Sequence, residues 1–403
     1  MSGLLHGMRV VEGSAFVAIP LAGMTLAQIG AEVIRVDRPG GGLDAARWPV
    51  TAAGQSLFWA GMNKGKKSIA IDLTTERGQE LMAELVTAPG EEAGLYLTNL
   101  PIRGMAYASL AARRPDLVMV TLAGDRHGGP QVDYTVNPAV GFPVATGAEG
   151  SDAPTAHVLP AWDCIAGNLA ATALLAAERR RLRTGAGDHV KLALKDVAAA
   201  MLGHLGIIGE VAVNGVDRPK YGNALYGAYG QDFACADGGR IMVIGLTSRQ
   251  WRVLLKATET EAAIAALEAR IGESLKPEAA RFRHRAAITE LLAPWFAARS
   301  AAEAGAALQA AGATWGPFRS FAQALAEDPD LSPDNPMFRM LDQPGIGAYP
   351  VPASPLACAG AGRPDPRPAP LLGQHSEEIL ADVLRLPAGA IGALFDDGVV
   401  AGR

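Results

Sequence analysis

Residues 8–42 read "MRVVEGSAFVAIPLAGMTLAQIGAEVIRVDRPGGG", and their patterning decides the fold class. "MRVVEG" is a short β-branched run that reads as a strand. "PLAGMTLAQIGA" follows with helical spacing and opens on Pro20, whose missing N–H is harmless at the first helical position. "EVIRVD" is a second strand, closed by a glycine turn. Strand, helix and strand within about 30 residues make a β–α–β unit, the building block of a parallel sheet.

The pattern continues. "KKSIAIDL" (66–73) reads as a strand, and "TTERGQELMAELV" as a helix capped by Thr74 or Thr75. "GLYLTNL" (94–100) and "LAARRPDLVMVTLAG" add a strand and a helix–strand pair. The first half is therefore α/β, with ligand sites expected outside the carboxyl ends of the strands. Residues 125–160, rich in Gly, Pro, Asp and Asn, read as loop. A helix is expected over about 164–182, with a basic last turn and Gly185 after it. "DHVKLALKDVAAAML" gives a strand feeding a helix. Residues 247–328 turn alanine-rich and helical, preceded by the strand "GRIMVIGL" and containing a short one near "ATWGPFRS". A proline-heavy stretch then reads as irregular linker, and "LLGQHSEEILADVLRL" as a final helix.

Bulk properties narrow the function classes. The 403 residues exceed one compact core, so two domains or one elaborated domain are expected. Net charge is −5 with no long basic stretch, which argues against nucleic acid as a partner. Cys164, Cys235 and Cys358 are far apart and form no Cys-x-x-Cys pair, so neither a disulfide framework nor a zinc site is indicated, and a reducing cytoplasm fits. The N-terminus lacks signal-peptide character. The most apolar segments, 165–177 and 197–213, are too short or too interrupted for the roughly 20 apolar residues a membrane span needs.

Few motifs carry chemistry. There is no His-Glu-x-x-His, no Gly-x-Ser-x-Gly, and no Gly-x-Gly-x-x-Gly in the first β–α turn, although Asp37 ends the second strand. Arg38, Lys64, Lys66, Lys67 and Arg103 lie beside strands of one sheet, where a phosphate-rich ligand could use them; each could equally be a solvated charge. The segment "HVLPAWDCIAG" (157–167) places Asp163 at the expected start of the long helix. By local reading Asp163 is an N-cap. The same place suits a nucleophile, because a helix N-terminus favours an ionised carboxylate. Both readings stay open on local grounds. Cys164 beside it reads as a small buried apolar residue, and His157 is only suggestive.

Five blocks, in order, carry a family resemblance: the opening stretch from Leu5, "NKGKKSIAIDL" (63–73), the segment around Asp163, "GAGDHVKLALKDVAAAM" (185–201) and "APLLGQHSEEIL" (369–380). Together they resemble the class III CoA-transferases across essentially the whole chain. The resemblance implies a Rossmann-like α/β large domain built from both chain ends, a smaller inserted α+β domain, and a homodimer of interlocked chains. The boundaries expected are 1–224 for the first part of the large domain, 225–330 for the small one, and 331–403 for the return. It also implies that Asp163 is the catalytic residue, and that CoA is contacted at Phe16, Val17, Arg38, Ile71 to Leu73, Asn99 and Arg103. The substrate implied is an acyl-CoA thioester of a small dicarboxylic acid, with no cofactor beyond the CoA it carries.

"SLFWAGMNKGKKSIAIDL", "HVLPAWD", "GHLGIIGEV" and "DNPMF" are similar to family members that move CoA within one acid. The implied activity is conversion of mesaconyl-C1-CoA to mesaconyl-C4-CoA in carbon assimilation such as the 3-hydroxypropionate cycle. Intermolecular transfer between two acids and acyl-CoA racemisation are the alternatives. Racemases of the family carry a histidine where Val132 stands, which argues against proton abstraction. The four-glycine loop of formyl-CoA transferases is also missing, which argues against formate and oxalate. The Gly- and Tyr-rich loop 221–230 is either part of the acid pocket or an ordinary mobile loop.

Overall fold

In a computed structural model of the chain, describing residues 3–402, the opening unit forms as strand β1 (Arg9–Gly13), helix α1 (Ala18–Gln28) and strand β2 (Glu32–Asp37). Pro20 is the third helical residue rather than the first; the whole first turn lacks i−4 acceptors, so a missing N–H costs nothing there either. The chain continues through α2 (Leu57–Met62), β3 (Lys67–Ile71), α3 (Glu76–Val86), β4 (Leu95–Thr98), α4 (Tyr107–Arg113) and β5 (Val118–Ala123). Thr75 caps α3, its hydroxyl accepting from Gly78 N–H at 3.0 Å.

The stretch expected as loop holds two short helices, α5 (Asp133–Ala139) and α6 (Phe142–Ala145). Next come α7 (Ala161–Thr184), β6 (Asp188–Ala193), α8 (Leu194–His204) and α9 (Ile207–Asn214). Helix α7 ends on Gly185 in the left-handed region at φ 70°, which glycine alone adopts without strain. The remaining strands are β7 (Tyr229–Ala234), β8 (Arg240–Gly245), β9 (Thr314–Pro317), β10 (Phe338–Gln343), β11 (Gly347–Pro352) and β12 (Val400–Ala401). The hairpin β10–β11 occupies the stretch expected as irregular linker; it carries none of the periodicity that announces a strand.

The chain divides into two compact units. The first comprises Met1–Val140, Val158–Glu210 and Pro329–Arg403, and the second Gly141–His157 and Val211–Asp328. The second unit therefore starts earlier than 225 and also takes 141–157. Its antiparallel sheet β7–β8–β9 packs with helices around Tyr229, Phe233, Trp251, Leu292 and Phe296.

The first unit is a seven-stranded sheet in the order β12-β3-β2-β1-β4-β5-β6, parallel except for β12. The order 3-2-1-4-5-6 is that of the doubly wound nucleotide-binding sheet, whose direction of winding switches between β1 and β4. Both faces are buried, which is why β1 to β4 read as nearly continuous apolar runs. On one face Val11, Ile34, Ile69 and Tyr96 pack with α3, α4 and the C-terminal helices at 376–382 and 388–396. On the other face lies Glu12, under Gly23 of α1.

Glu12 is wholly buried and belongs to an ionic cluster. Lys66 Nζ sits 2.8 Å from Glu12 Oε2. Arg35, 1% exposed, reaches Asp37 at 3.0 Å and Asp44 at 3.1 Å, and stacks on Trp59. Lys66 and Lys67 stand at the amino end of β3, and Lys67 pairs with Glu32 and Glu378. Lys64 is buried against the Gly61 carbonyl. These lysines, read as part of a phosphate-binding group, instead stand before or at the amino end of β3, where their ammonium groups are taken up by Glu12, Glu32, Glu378 and the Gly61 carbonyl. Among the described residues no single helix is long and apolar enough to cross a membrane; α8 and α9 qualify only when joined across a 63° bend.

Helix α7 lies against α1 with Gly167 at the contact. A Cβ there would stand 2.5 Å from the Ala18 carbonyl oxygen and 3.2 Å from Leu21 Cβ. Asp163, four residues earlier, shares that face of α7 and is brought to the start of α1. Gly167→Ala is expected to destabilise the fold by about 1–3 kcal/mol through overpacking, although propensity alone predicts a gain near ~1 kcal/mol. Gly392→Ala, in a helix with open space at its Cβ, should follow propensity and stabilise. Urea denaturation of both variants checks the pair of signs.

Candidate active site

The carboxyl ends of β1, β4 and β5 frame a pocket of about 300 Å³ at the switch in winding direction. Phe16, Val17 and Ala18 line it after β1, Asn99 after β4, and Leu122 to Gly124 at the end of β5. Gln131, Val132, Asp133 and Tyr134 come from the start of α5, Asp163 from α7, Leu194 from α8, and Arg47 from the loop before α2.

Asp163 is not the cap of α7. The helix begins at Ala161 after Pro160, and Asp163 is its third residue. The capping carboxylate comes from Asp133, 2% exposed, whose Oδ2 accepts from Trp162 N–H at 2.8 Å and Asp163 N–H at 3.1 Å. Trp162 Nε1 also donates to Asn137 Oδ1 at 3.2 Å, so α5 and the start of α7 are fastened side by side. Because Asp133 satisfies the helix end, the Asp163 carboxylate is left to face the pocket. Burial, with Asp133 adding, pushes its pKa up to about 6, and Arg47 opposes. Burial, Asp163 and Asp133 likewise push the Cys164 thiol up, which keeps it a thiol rather than a nucleophilic thiolate.

Phe16 is held in the left-handed region at φ 67°. Its N–H donates to both carboxylate oxygens of Asp44 at 2.9 Å, which ties this loop to the ionic cluster beneath it. Asn99 clamps the preceding residue, its Oδ1 accepting from Ala15 N–H at 2.9 Å and its Nδ2 donating to Ala15 O at 2.8 Å. The chain then enters α1 with no side-chain cap at Val17. Val17 and Ala18 line the pocket at this uncapped, positive end of α1.

The residues expected at the site divide. Asp163, Phe16, Val17 and Asn99 converge on the pocket. Arg38 and Arg103 are exposed on the loops after β2 and β4, along the same edge of the sheet but outside the lining. Arg38 Nε donates to Gly41 O at 2.7 Å. Ile71, at the end of β3, has its side chain wholly inside the core, and the Leu73 carbonyl accepts from Gln79 Nε2 at 3.0 Å. The loop 221–230 belongs to the second unit, where Tyr221 and Tyr226 pack on Phe282; His157 also belongs to that unit. Asp133 and Arg47 escaped the sequence reading. A buried carboxylate that caps a helix 30 residues away leaves no local pattern, and "DAARWP" matches no motif.

The model of CoA-transferase family III matches residues 5–376. The 2-methylfumaryl-CoA isomerase of Chloroflexus aurantiacus is 56% identical, over 100% of this chain and 99% of its own. The succinyl-CoA:glutarate CoA-transferase of Mus musculus is 27% identical, over 98% of this chain and 90% of its own. Among solved structures, a CAIB/BAIF family protein from Brucella suis has a TM-score of 0.76 at 26% identity, covering 95% of this chain and 100% of that one.

Two outcomes follow from the paired carboxylates. With its folded-state pKa near 6 and an ordinary value of 3.8, Asp163 binds more protons folded than unfolded between those limits. Its ionisation therefore removes stability as pH rises through that window. Asp163→Asn should melt higher than the parent at pH 7.5, by on the order of 1–3 kcal/mol, and the difference should vanish near pH 4. Asp133→Asn keeps a capping oxygen but removes the charge. It is expected to lower the Asp163 pKa, read by NMR titration, with little loss of stability, whereas Asp133→Ala should also lose about 1–2 kcal/mol of helix capping.

Proposed function

Because this chain belongs to CoA-transferase family III, we propose that it moves coenzyme A within one molecule. It converts 2-methylfumaryl-CoA, the mesaconyl-C1 ester, to 3-methylfumaryl-CoA, the C4 ester. One observation carries the reading: the Asp163 carboxylate, freed from capping by Asp133, faces a small pocket at the end of the sheet, beside the uncapped start of α1.

The steps use only groups that the chain and the substrate hold. Asp163 attacks the C1 thioester carbonyl; the C–S bond breaks, leaving a mixed anhydride and CoA thiolate. The oxyanion formed on the way meets the Val17 and Ala18 N–H groups at the positive end of α1. The thiolate attacks the aspartyl carbonyl and expels the C1 carboxylate of mesaconate, giving an aspartyl-CoA thioester. The C4 carboxylate then attacks that thioester, and the same two steps in reverse return Asp163 as a carboxylate. One thioester replaces another, so the chemistry calls for no cofactor beyond the CoA of the substrate. A carboxylate held near pKa 6 is a stronger nucleophile than an ordinary aspartate and is still ionised at neutral pH.

Coenzyme A runs along the carboxyl edge of the sheet, where Arg38 and Arg103 are free to meet its phosphates and the backbone near Ile71 to Leu73 and Asn99 borders its path. The working form is a homodimer, in a reducing cytoplasmic setting that suits three unpaired cysteines and a carbon-assimilation route. Val132 lines the pocket and, by the sequence resemblance, stands where racemases of the family carry a histidine, which speaks against exchange at an α-carbon.

Mass spectrometry after mixing with mesaconyl-C1-CoA and hydroxylamine should find the hydroxamate at Asp163. Unmodified Asp163 in a turning-over enzyme would sink the mechanism. Labelled free mesaconate should stay out of the product ester, whereas its incorporation marks intermolecular transfer. The kcat/KM profile should fall about tenfold per pH unit below the Asp163 pKa near 6.

A further inference from the structure

We infer that Arg47 holds the carboxylate of the substrate that is not being attacked, and so restricts the acyl group to mono-CoA esters of diacids. The inference rests on the reading of Asp163 as nucleophile. Its starting point is a cation that no carboxylate contacts directly among the described residues. Arg47 lines the Asp163 pocket, and its guanidinium makes no ion pair and donates no hydrogen bond among the described residues. It is the cation whose charge opposes the rise in the Asp163 pKa.

The side chain is also oriented. Its guanidinium lies 5.2 Å from the ring centre of Phe16 and 5.0 Å from that of Phe58. Aromatic packing engages the faces of the guanidinium and leaves its N–H edge to meet a planar carboxylate. The supports are specific. Arg47 N–H donates to Asp44 O at 3.2 Å, and Ser56 Oγ donates to Arg47 O at 2.6 Å while capping α2, which carries Phe58. Phe16 holds its left-handed conformation, which costs roughly 1–2 kcal/mol for a residue with a side chain, because Asp44 grips its N–H. The strain is thus used to set one of the two rings beside Arg47.

Charge decides why such a residue is needed. The pocket already holds Asp163 and Asp133. A diacid mono-ester adds a third negative charge, and the total stays at three when Asp163 is held as the neutral thioester, because the free diacid then carries two beside Asp133. Without a cation in the lining the released acid would be repelled before its second carboxylate reached the aspartyl thioester. Arg47 can pair with C4 while C1 is attacked and with C1 while C4 attacks. Within the lining, Leu122, Ala123, Val132 and Leu194 give an apolar stretch that suits the carbon skeleton between the two ends.

The test compares mesaconyl-C1-CoA with the ester in which a methyl replaces the C4 carboxylate, 2-methyl-2-butenoyl-CoA. The readout is the single-turnover rate of hydroxylamine-trapped Asp163. Arg47→Gln should slow the diacid ester about 10- to 100-fold more than it slows the monoacid ester. Arg47→Lys should recover part of the loss, since charge is kept and the fork is not. Equal slowing of both esters, or an unchanged rate for the diacid, overturns the assignment. Binding of free mesaconate by calorimetry provides a second readout that does not depend on Asp163 chemistry. Arg47→Gln should weaken it about 10- to 100-fold, and unchanged binding overturns the assignment. Arg47-dependent mesaconate binding with no adduct at Asp163 in the parent would uphold Arg47 and overturn the nucleophile.

Discussion

The ion cluster under the first β–α loop is the constraint on which the rest of the site depends. Glu12, Asp37 and Asp44 meet Arg35 and Lys66 in a space sealed by α1. Burying five charges is expensive unless each is paired, and removal of one partner strands another. Here the pairing continues into function. Asp44 shares itself between Arg35 and the Phe16 N–H, so the loop bordering the pocket is anchored to the interior of the sheet. Phe16, Arg47 and the start of α1 inherit their places from that anchor.

A second device works from the opposite side of the pocket. Two carboxylates serve one helix end, and their roles are divided by geometry. Asp133 accepts the orphan N–H groups of α7, whereas Asp163, the third residue of that helix, keeps its oxygens for the pocket. The division leaves the Asp163 carboxylate partly desolvated and beside a like charge, which raises its pKa to about 6. Gly167 completes the arrangement by letting α7 approach α1 closely enough for Asp163 to stand at the open end of α1.

The strands β1 to β6, helices α1, α3, α4 and α7 and the caps at Thr75 and Gly185 were legible because each follows from local rules: side-chain period, a hydroxyl at a helix start, a glycine at a helix end. The hairpin β10–β11 and helix α5 were not. Proline and glycine interrupt the hairpin, and α5 carries Asn137 and Pro138 inside it; tertiary packing overrides these weak local preferences. The lysines at 64–67 misled for a related reason. A run of charge reads as solvated or ligand-binding, and only the fold reveals that Lys66 has its counter-ion in Glu12, far away in sequence.

The sequence by itself determined a parallel α/β sheet, its ligand-binding edge, and the aspartate at the head of the long helix, because periodicity and punctuation are properties of neighbouring residues. The tertiary structure alone decided that Asp133 caps that helix, that Asp163 is thereby released to the pocket, and that Arg47 lines the same pocket with no ion pair among the described residues. Those assignments depend on which distant groups meet, and hydrogen-bond satisfaction in a buried space is settled only when the chain has folded.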